Sequence, residues 1–366
     1  MPFDLIQEMG HEQVVFCSNP SIGLRAIIAI HNTSLGPALG GTRMYPYPTE
    51  EEALKDVLRL SKGMTYKSAA SGLNFGGGKA VILADPKKDK SESLFRAFGA
   101  YVNRLNGQFI TGEDVGMDVH DMEYIFMETD YVVGLSKSHG GSGDPSPMTA
   151  YGVLQGIFAC LDQRGHGKNL KDITVALQGL GHVGYWLSRY LKEHGAKVIA
   201  CDVDTSLCEK AVSELGVEIV DPQKIYDVEC DIFSPCAMGG ILNEHTLPRL
   251  KAKIIAGSAN NQLSSDDLGK QILERNILYA PDYVINSGGL INVALEIEGY
   301  SEYRAKLLTK NIYHHLKRIF EISKKQKLCP QLSANQLAEE RIRNLGNIRR
   351  SHRLNPDRIR RENPKD

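Results

Sequence analysis

The chain has 366 residues, a formal net charge of −1 and 42% hydrophobic residues. That length suits two domains rather than one core, and so even a charge balance offers no global attraction for nucleic acid. No apolar run nears a membrane-spanning length, and the start MPFDLIQEMG has neither a basic flank nor a signal-like apolar core, so a cytoplasmic protein is expected.

The seven cysteines are scattered, odd in number and without a CxxC, which points to free thiols in a reducing compartment and to no metal centre. Phe3–Gly10 has the pattern of a short amphipathic helix, and Val14–Phe16 and Leu24–Ile30 the β-branched density of strands. His31–Arg43 is turn-rich and returns to strand near Arg43. Thr49 is placed to cap a helix running to about Lys67, with Glu50–Glu52 in its first turn. Gly72–Lys79 (GLNFGGGK) then carries three consecutive glycines into a strand, which costs stability and makes sense where a ligand or another backbone comes close. Ser91–Leu105 reads as a helix, and Phe109–Thr111 as a strand end that delivers Gly112–Gly116 (GEDVG), with a further helix from Asp118.

Gly134–Pro147, rich in glycine and proline, is the clearest linker. Beyond it, a helix over Met148–Leu161 leads into the strand Ile173–Leu177, the turn Gly179-Leu180-Gly181-His182-Val183-Gly184, a helical pattern, the strand Val198–Ala200 and Asp202. This is the strand, GxGxxG turn, helix, strand and acid of a dinucleotide site. Gly179 permits the turn, Gly181 admits a pyrophosphate, and Gly184 lets helix and strand pack. His182 and Val183 open the helix, whose free N–H groups suit phosphate. Asp202 would grip a ribose 2′-hydroxyl and repel a 2′-phosphate, favouring NAD over NADP. Further strands are expected at Asp231–Phe233, Lys253–Ala256 and Ile277–Tyr279. A long helical region, Ile291–Lys327, and a helix at Ser333–Leu345 close the chain, ending in a basic tail.

The expected fold is therefore α/β with two domains: residues 1–135 for substrate and oligomerisation, a hinge at 136–147, a Rossmann-type doubly wound domain at 148–328, and 329–366 returning to the first domain. Lys67, Lys79 and Asp114 form a plausible constellation in the first half. One ammonium can pair with a substrate carboxylate, a second can serve as a base when partly desolvated among cations, and the aspartate can move protons.

The chain resembles the amino acid dehydrogenases acting on glutamate, leucine, phenylalanine and valine. The resemblance spans nearly the whole chain and rests on GPALGGTRM (Gly36–Met44), KGMTYK (Lys62–Lys67), GLNFGGGK, GEDVG, DPSPMTAYGV (Asp144–Val153), VECDIFSPCA (Val228–Ala237) and YAPDYVINSGG (Tyr279–Gly289). The leucine-acting members are nearest in pattern. The resemblance implies NAD-dependent, reversible oxidative deamination of an L-amino acid to a 2-oxo acid and ammonia, in a homo-oligomer, with octamers common among the leucine-acting members. It implies that Lys67 holds the α-carboxylate, Lys79 activates water and Asp114 shuttles protons. It also implies that Gly40 lies beside the substrate, and that Asn261 helps fix the nicotinamide end or the substrate. Leu39 stands where glutamate-acting relatives carry a lysine, and Val293 where they carry a small hydroxyl. Both point to an aliphatic substrate side chain, since a second carboxylate against them would lose its hydration without a partner. A phenylalanine- or valine-preferring enzyme and a non-catalytic NAD sensor are the rival readings.

Overall fold

The computed structural model describes residues 2–265 and 267–346; most of the basic tail lies outside the described residues. The chain forms two compact units, one from Met1–Asp144, Asn292–Glu302 and Ala338–Asp366, the other from Pro145–Ile291 and Tyr303–Leu337.

The first unit opens with helix α1 (Pro2–Met9) and builds a sheet from β1 (Gln13–Asn19), β2 (Leu24–Asn32), β3 (Ala38–Tyr45), β4 (Gly76–Leu83) and β5 (Phe109–Glu113). The order is β1-β2-β4-β3-β5, with β3 parallel to both β4 and β5. Alternation along the strands divides the core in two. Ile28, Ile30, Ala38, Ala80 and Ile82 pack with helices α3 (Glu92–Arg104) and α4 (Val119–Phe126). Ile27, Ala29 and Val81 pack with Ala53, Leu54, Val57 and Leu58 of α2 (Glu50–Ala70). Thr49 caps α2 by accepting the Glu52 N–H, as its side chain and position require.

The second unit begins with α5 (Ser146–Gln163) and continues through β6 (Thr174–Gln178), α6 (His182–Glu193), β7 (Lys197–Cys201), α7 (Thr205–Leu215), β8 (Glu218–Ile219), β9 (Ile232–Pro235), β10 (Ile254–Ile255) and β11 (Leu278–Tyr279). Its parallel strands lie in the order β11-β10-β9-β6-β7-β8. Counted from β6, this is the doubly wound order 3-2-1-4-5-6, whose switch point falls between β6 and β9. No described helix is long and apolar enough to cross a membrane.

Four features differ from the sequence reading. The strand expected near Arg43 begins at Ala38, because glycine there serves the sheet: a Cβ on Gly40 would lie 1.8 Å from the Gly78 carbonyl oxygen. The two-residue β8 has no pattern long enough to read. The helical region at Ile291–Lys327 is broken, with Gly299 at φ +89° and helices resuming at Glu302–Lys310 and Ile312–Gln326. The linker is also more ordered than its composition suggests. Leu135 and Ser142 are buried, and the fully buried Glu296 carboxylate accepts the N–H groups of Gly134 (3.0 Å), Leu135 (3.4 Å) and Ser142 (2.9 Å) and the Ser142 hydroxyl (2.6 Å). These bonds draw Asn292–Glu302 into the first unit, whereas the sequence reading leaves that stretch in the nucleotide domain. At the other end the first unit regains the chain only from Ala338, where Arg341 donates to the carbonyls of Leu73 (2.6 Å) and Gly72 (3.1 Å) just beyond α2.

Candidate active site

In the first unit the carboxyl-end chemistry gathers on the face of the sheet that α2 covers. Lys79 stands two residues before Val81 along β4 and so shares the face that Val81 turns to α2; it is 5% exposed. Its ammonium lies 3.1 Å from Asp114 Oδ1, just past β5. Arg43 of β3 donates from Nε to the other oxygen, Asp114 Oδ2, at 2.9 Å. Burial pushes the Asp114 carboxyl up, but Lys79 and Arg43 outweigh it and hold the group below the usual carboxylate range. Arg43 reaches further, donating to Asp56 Oδ2 at 2.9 Å, and Asp56 also accepts the Tyr47 hydroxyl (2.7 Å) and Arg59 (2.9 Å). A buried ammonium, a carboxylate and a guanidinium thus stand in one chain of charge-assisted bonds.

The glycine run explains how Lys79 comes to be there. A Cβ on Gly77 would lie 2.1 Å from the Thr65 backbone nitrogen and one on Gly78 would meet Phe109 at 2.6 Å, so the missing side chains let α2 and β5 close on β4. Of the two reasons the sequence allows for such a run, backbone approach is the one realised at these positions. Lys67 sits in the last turn of α2, half-buried, one turn beyond Met64. Met64 Cγ is 3.2 Å from where a Cβ on Gly40 would stand, and residues three apart share a helix face, so Lys67 projects on the side of α2 that covers Gly40. Leu39 is 1% exposed, paired with Gly77 and Ile110. Its place in the packed sheet is that of a core residue, so the sequence expectation of a substrate-facing side chain finds no open surface here. Val293 is half-buried in the same unit.

In the second unit the turn after β6 has the geometry that a pyrophosphate needs. Gly179 takes φ +100°, and a Cβ on Gly184 would fall 1.9 Å from the Gly179 carbonyl oxygen. Nothing lies within 4 Å of a Cβ built on Gly181, which is exposed and opens α6 as its N-cap residue. His182 is exposed and Val183 half-buried in the first turn of α6, where helix geometry leaves backbone N–H groups for an outside acceptor. Asp202, directly after β7, accepts the Leu180 N–H at 2.6 Å, so the acid also braces the turn. The open space over Gly181 beside these donors fits a dinucleotide phosphate. The loops after β9 and β10 meet through Asn261, whose carbonyl accepts the Gly240 N–H at 2.7 Å. Asn261 itself adopts φ +51° and is exposed. Gln262, fully buried, donates to the carbonyls of Gly257 (3.0 Å) and Ala259 (2.9 Å), and Asp282 accepts its N–H (2.9 Å).

Sequence reasoning missed Arg43, Asp56, Gln262 and Asp282. The signal for Arg43 lay within GGTRM, an arginine one strand from the GGGK lysine, but nothing local marks an arginine as bound on both sides.

Both halves match family models: residues 11–131 match the Glu/Leu/Phe/Val dehydrogenase dimerisation domain, and residues 140–212 and 203–347 the Glutamate/Leucine/Phenylalanine/Valine dehydrogenase model. The chain is 53% identical over 347 residues to the leucine dehydrogenase of Geobacillus stearothermophilus, covering 95% of each. It is 52% identical to the L-tryptophan dehydrogenase of Nostoc punctiforme over 343 residues, 93% of this chain and 96% of that one. A crystal structure of L-tryptophan dehydrogenase from Nostoc punctiforme superposes with a TM-score of 0.83 at 48% identity, covering 94% of this chain and 99% of that one. With the paired lysine and aspartate in one unit and the glycine turn in the other, these matches establish that the chain belongs to the glutamate/leucine/phenylalanine/valine dehydrogenase family.

Proposed function

We propose that this protein is an NAD-dependent dehydrogenase of leucine and other branched-chain L-amino acids. The balanced reaction takes the L-amino acid, NAD⁺ and water to the 2-oxo acid, ammonium, NADH and a proton, and it is reversible. The observation that carries the reading is the 3.1 Å pair between a buried lysine and an aspartate, Lys79 and Asp114, on the α2 face of the first sheet. Gly179, Gly181, His182, Val183 and Gly184 would hold NAD, with Asp202 for the ribose and Asn261 for the nicotinamide end or the substrate, and the cofactor would supply the hydride acceptor.

The chain's own residues do the rest. Lys67 binds the α-carboxylate, with Gly40 on the strand that the same side of α2 covers. Asp114 takes a proton from the α-ammonium, since only a neutral amine has the lone pair that forms the iminium as hydride leaves Cα. Lys79, once its ammonium proton has left to solvent, takes a proton from the water as it adds to the iminium carbon and later releases it as the proton of the overall reaction, while Asp114 returns the proton it took to nitrogen as the carbinolamine collapses to ketone and ammonia. A lysine and a carboxylate in direct contact can pass that proton between them without bulk water. The protein acts as a homo-oligomer, as the dimerisation-domain match suggests.

Val293, half-buried and apolar, favours an apolar substrate side chain. The second reading, an enzyme preferring aromatic side chains, draws on two relatives: the tryptophan dehydrogenase and the phenylalanine dehydrogenase of Caldalkalibacillus thermarum, 50% identical over 345 residues and 93% of each chain. A panel of L-leucine, isoleucine, valine, phenylalanine, tryptophan and glutamate, followed by NADH absorbance, separates them. Leucine is expected to give the highest kcat/KM, valine to follow within roughly 10–200-fold because one methylene discriminates weakly, and glutamate to give none. Tryptophan or phenylalanine leading the panel would replace this reading with the second.

The glycine turn has its own test. Gly184→Ala puts a methyl 1.9 Å from a backbone oxygen, so α6 must shift and the protein both loses stability and binds NAD at least about tenfold more weakly, a change of ~1.4 kcal/mol. Gly181→Ala meets no protein atom, so its stability holds while NAD binding weakens. Unchanged NAD affinity in both variants, measured by fluorescence titration, would remove the phosphate assignment.

A further inference from the structure

We propose that Arg43 is a positioning residue for proton transfer, holding Asp114 by one oxygen so that the other works with Lys79, and is itself held by Asp56. The inference rests on the amino acid dehydrogenase reading above and assigns a residue that reading does not use.

The two oxygens of Asp114 have different partners: Oδ2 accepts from Arg43 Nε at 2.9 Å, and Oδ1 faces Lys79 Nζ at 3.1 Å. A carboxylate fastened at one oxygen keeps its plane, so Oδ1 stays where a proton can pass. The far side of the same guanidinium donates to Asp56 Oδ2 at 2.9 Å. Arg43 therefore spans a carboxylate from α2 and one from the segment after β5, and this two-sided anchoring is what a planar fork does and a lysine cannot. Its charge is already matched by two anions, which makes it a poor ligand for a substrate carboxylate. It also cannot give up a proton at working pH, so it cannot be the shuttle. What remains is control of Asp114. The charged and titratable groups facing this pair are Lys79 from β4, Asp56 and, through it, Arg59 from α2, and Tyr47 after β3.

The sign of the pH effect follows. Burial raises the Asp114 carboxyl and the two cations lower it, the cations prevailing. Removing Arg43 takes away one of them, so Asp114 protonates at higher pH and the acid limb of kcat moves up. Arg43→Gln is expected to lower kcat for L-leucine about 10–100-fold near neutral pH, to leave KM within about threefold because the α-carboxylate ligand is elsewhere, and to raise the acid limb by about 1 pH unit or more. Arg43→Lys, which keeps the charge and loses the fork, is expected to fall between the two in both rate and limb. Thermal melts and NAD titration establish that each variant is folded. A raised KM with kcat preserved would make Arg43 a substrate ligand and overturn the proposal. A reduced kcat with an unmoved acid limb would make its role structural and overturn it as well. If Arg43→Gln does not fold, the limb of Arg43→Lys decides alone. Wild-type turnover is measured first, and a wild-type protein inert on the whole amino acid panel would sink the dehydrogenase reading rather than the assignment of Arg43.

Discussion

Lys79→Met is expected to lower turnover of L-leucine by roughly 10²–10⁴-fold, the usual worth of a positioned acid–base group, while NAD binds as tightly as in the wild type. Methionine fills the buried stem, so the substitution removes the ammonium without opening a cavity at a site only 5% exposed. Arg43 still holds Asp114 Oδ2, which limits the damage to the proton path. The variant also carries a stability signature. Asp114 titrates below its unfolded value, so the pairing stabilises the fold above about pH 4 and that contribution disappears as pH falls through the folded value. The stability difference between wild type and Lys79→Met is therefore largest near neutral pH and shrinks on acidification. Urea titrations at pH 7 and near pH 3 read this directly. A variant turning over within tenfold of the wild type would remove Lys79 from the chemistry.

Much of this site could be read from the sequence because it depends on backbone. A turn such as Gly179–Gly184 needs glycine for its φ and its close contacts, so three short-range positions announce the site before any fold is known. The same holds for GGGK, where small residues let a helix and a strand approach. What escaped was held by partners distant in sequence. Arg43 owes its place to Asp114, 71 residues away, and Glu296 to a loop some 154–162 residues earlier, and neither has a local pattern. A glycine-rich stretch such as Gly36–Gly41 has the composition of a turn, yet the interior strand β3 begins inside it, because burial between two neighbours overrides weak local propensity. The composition of 134–147 has the same ambiguity: glycines that signal a free linker elsewhere serve here to wrap the loop round a carboxylate, and Gly141 packs so tightly that a Cβ would lie 2.0 Å from the Leu135 oxygen.

That carboxylate gives the largest expected loss of stability. Glu296 is fully buried and receives four hydrogen bonds from three residues of one loop. Glu296→Ala leaves three N–H groups and a hydroxyl without their acceptor and opens a cavity, and each buried orphan costs about 1–3 kcal/mol unless water reaches it. Relaxation of the loop recovers part of that, so a net loss of about 3–5 kcal/mol is expected. Glu296→Gln keeps one oxygen and the volume but turns an NH₂ group toward donors, so it loses roughly 1–3 kcal/mol. The order wild type, Gln, Ala in urea midpoint separates this account from simple loss of packing, in which Gln and wild type would coincide. Glu296 also binds the segment 292–302 to the loop 134–142 within the first unit, so its loss frees both at once. Amide exchange at Gly134, Leu135 and Ser142 is then expected to rise together in Glu296→Ala, whereas exchange confined to one of them would show that the loop holds its shape without the carboxylate.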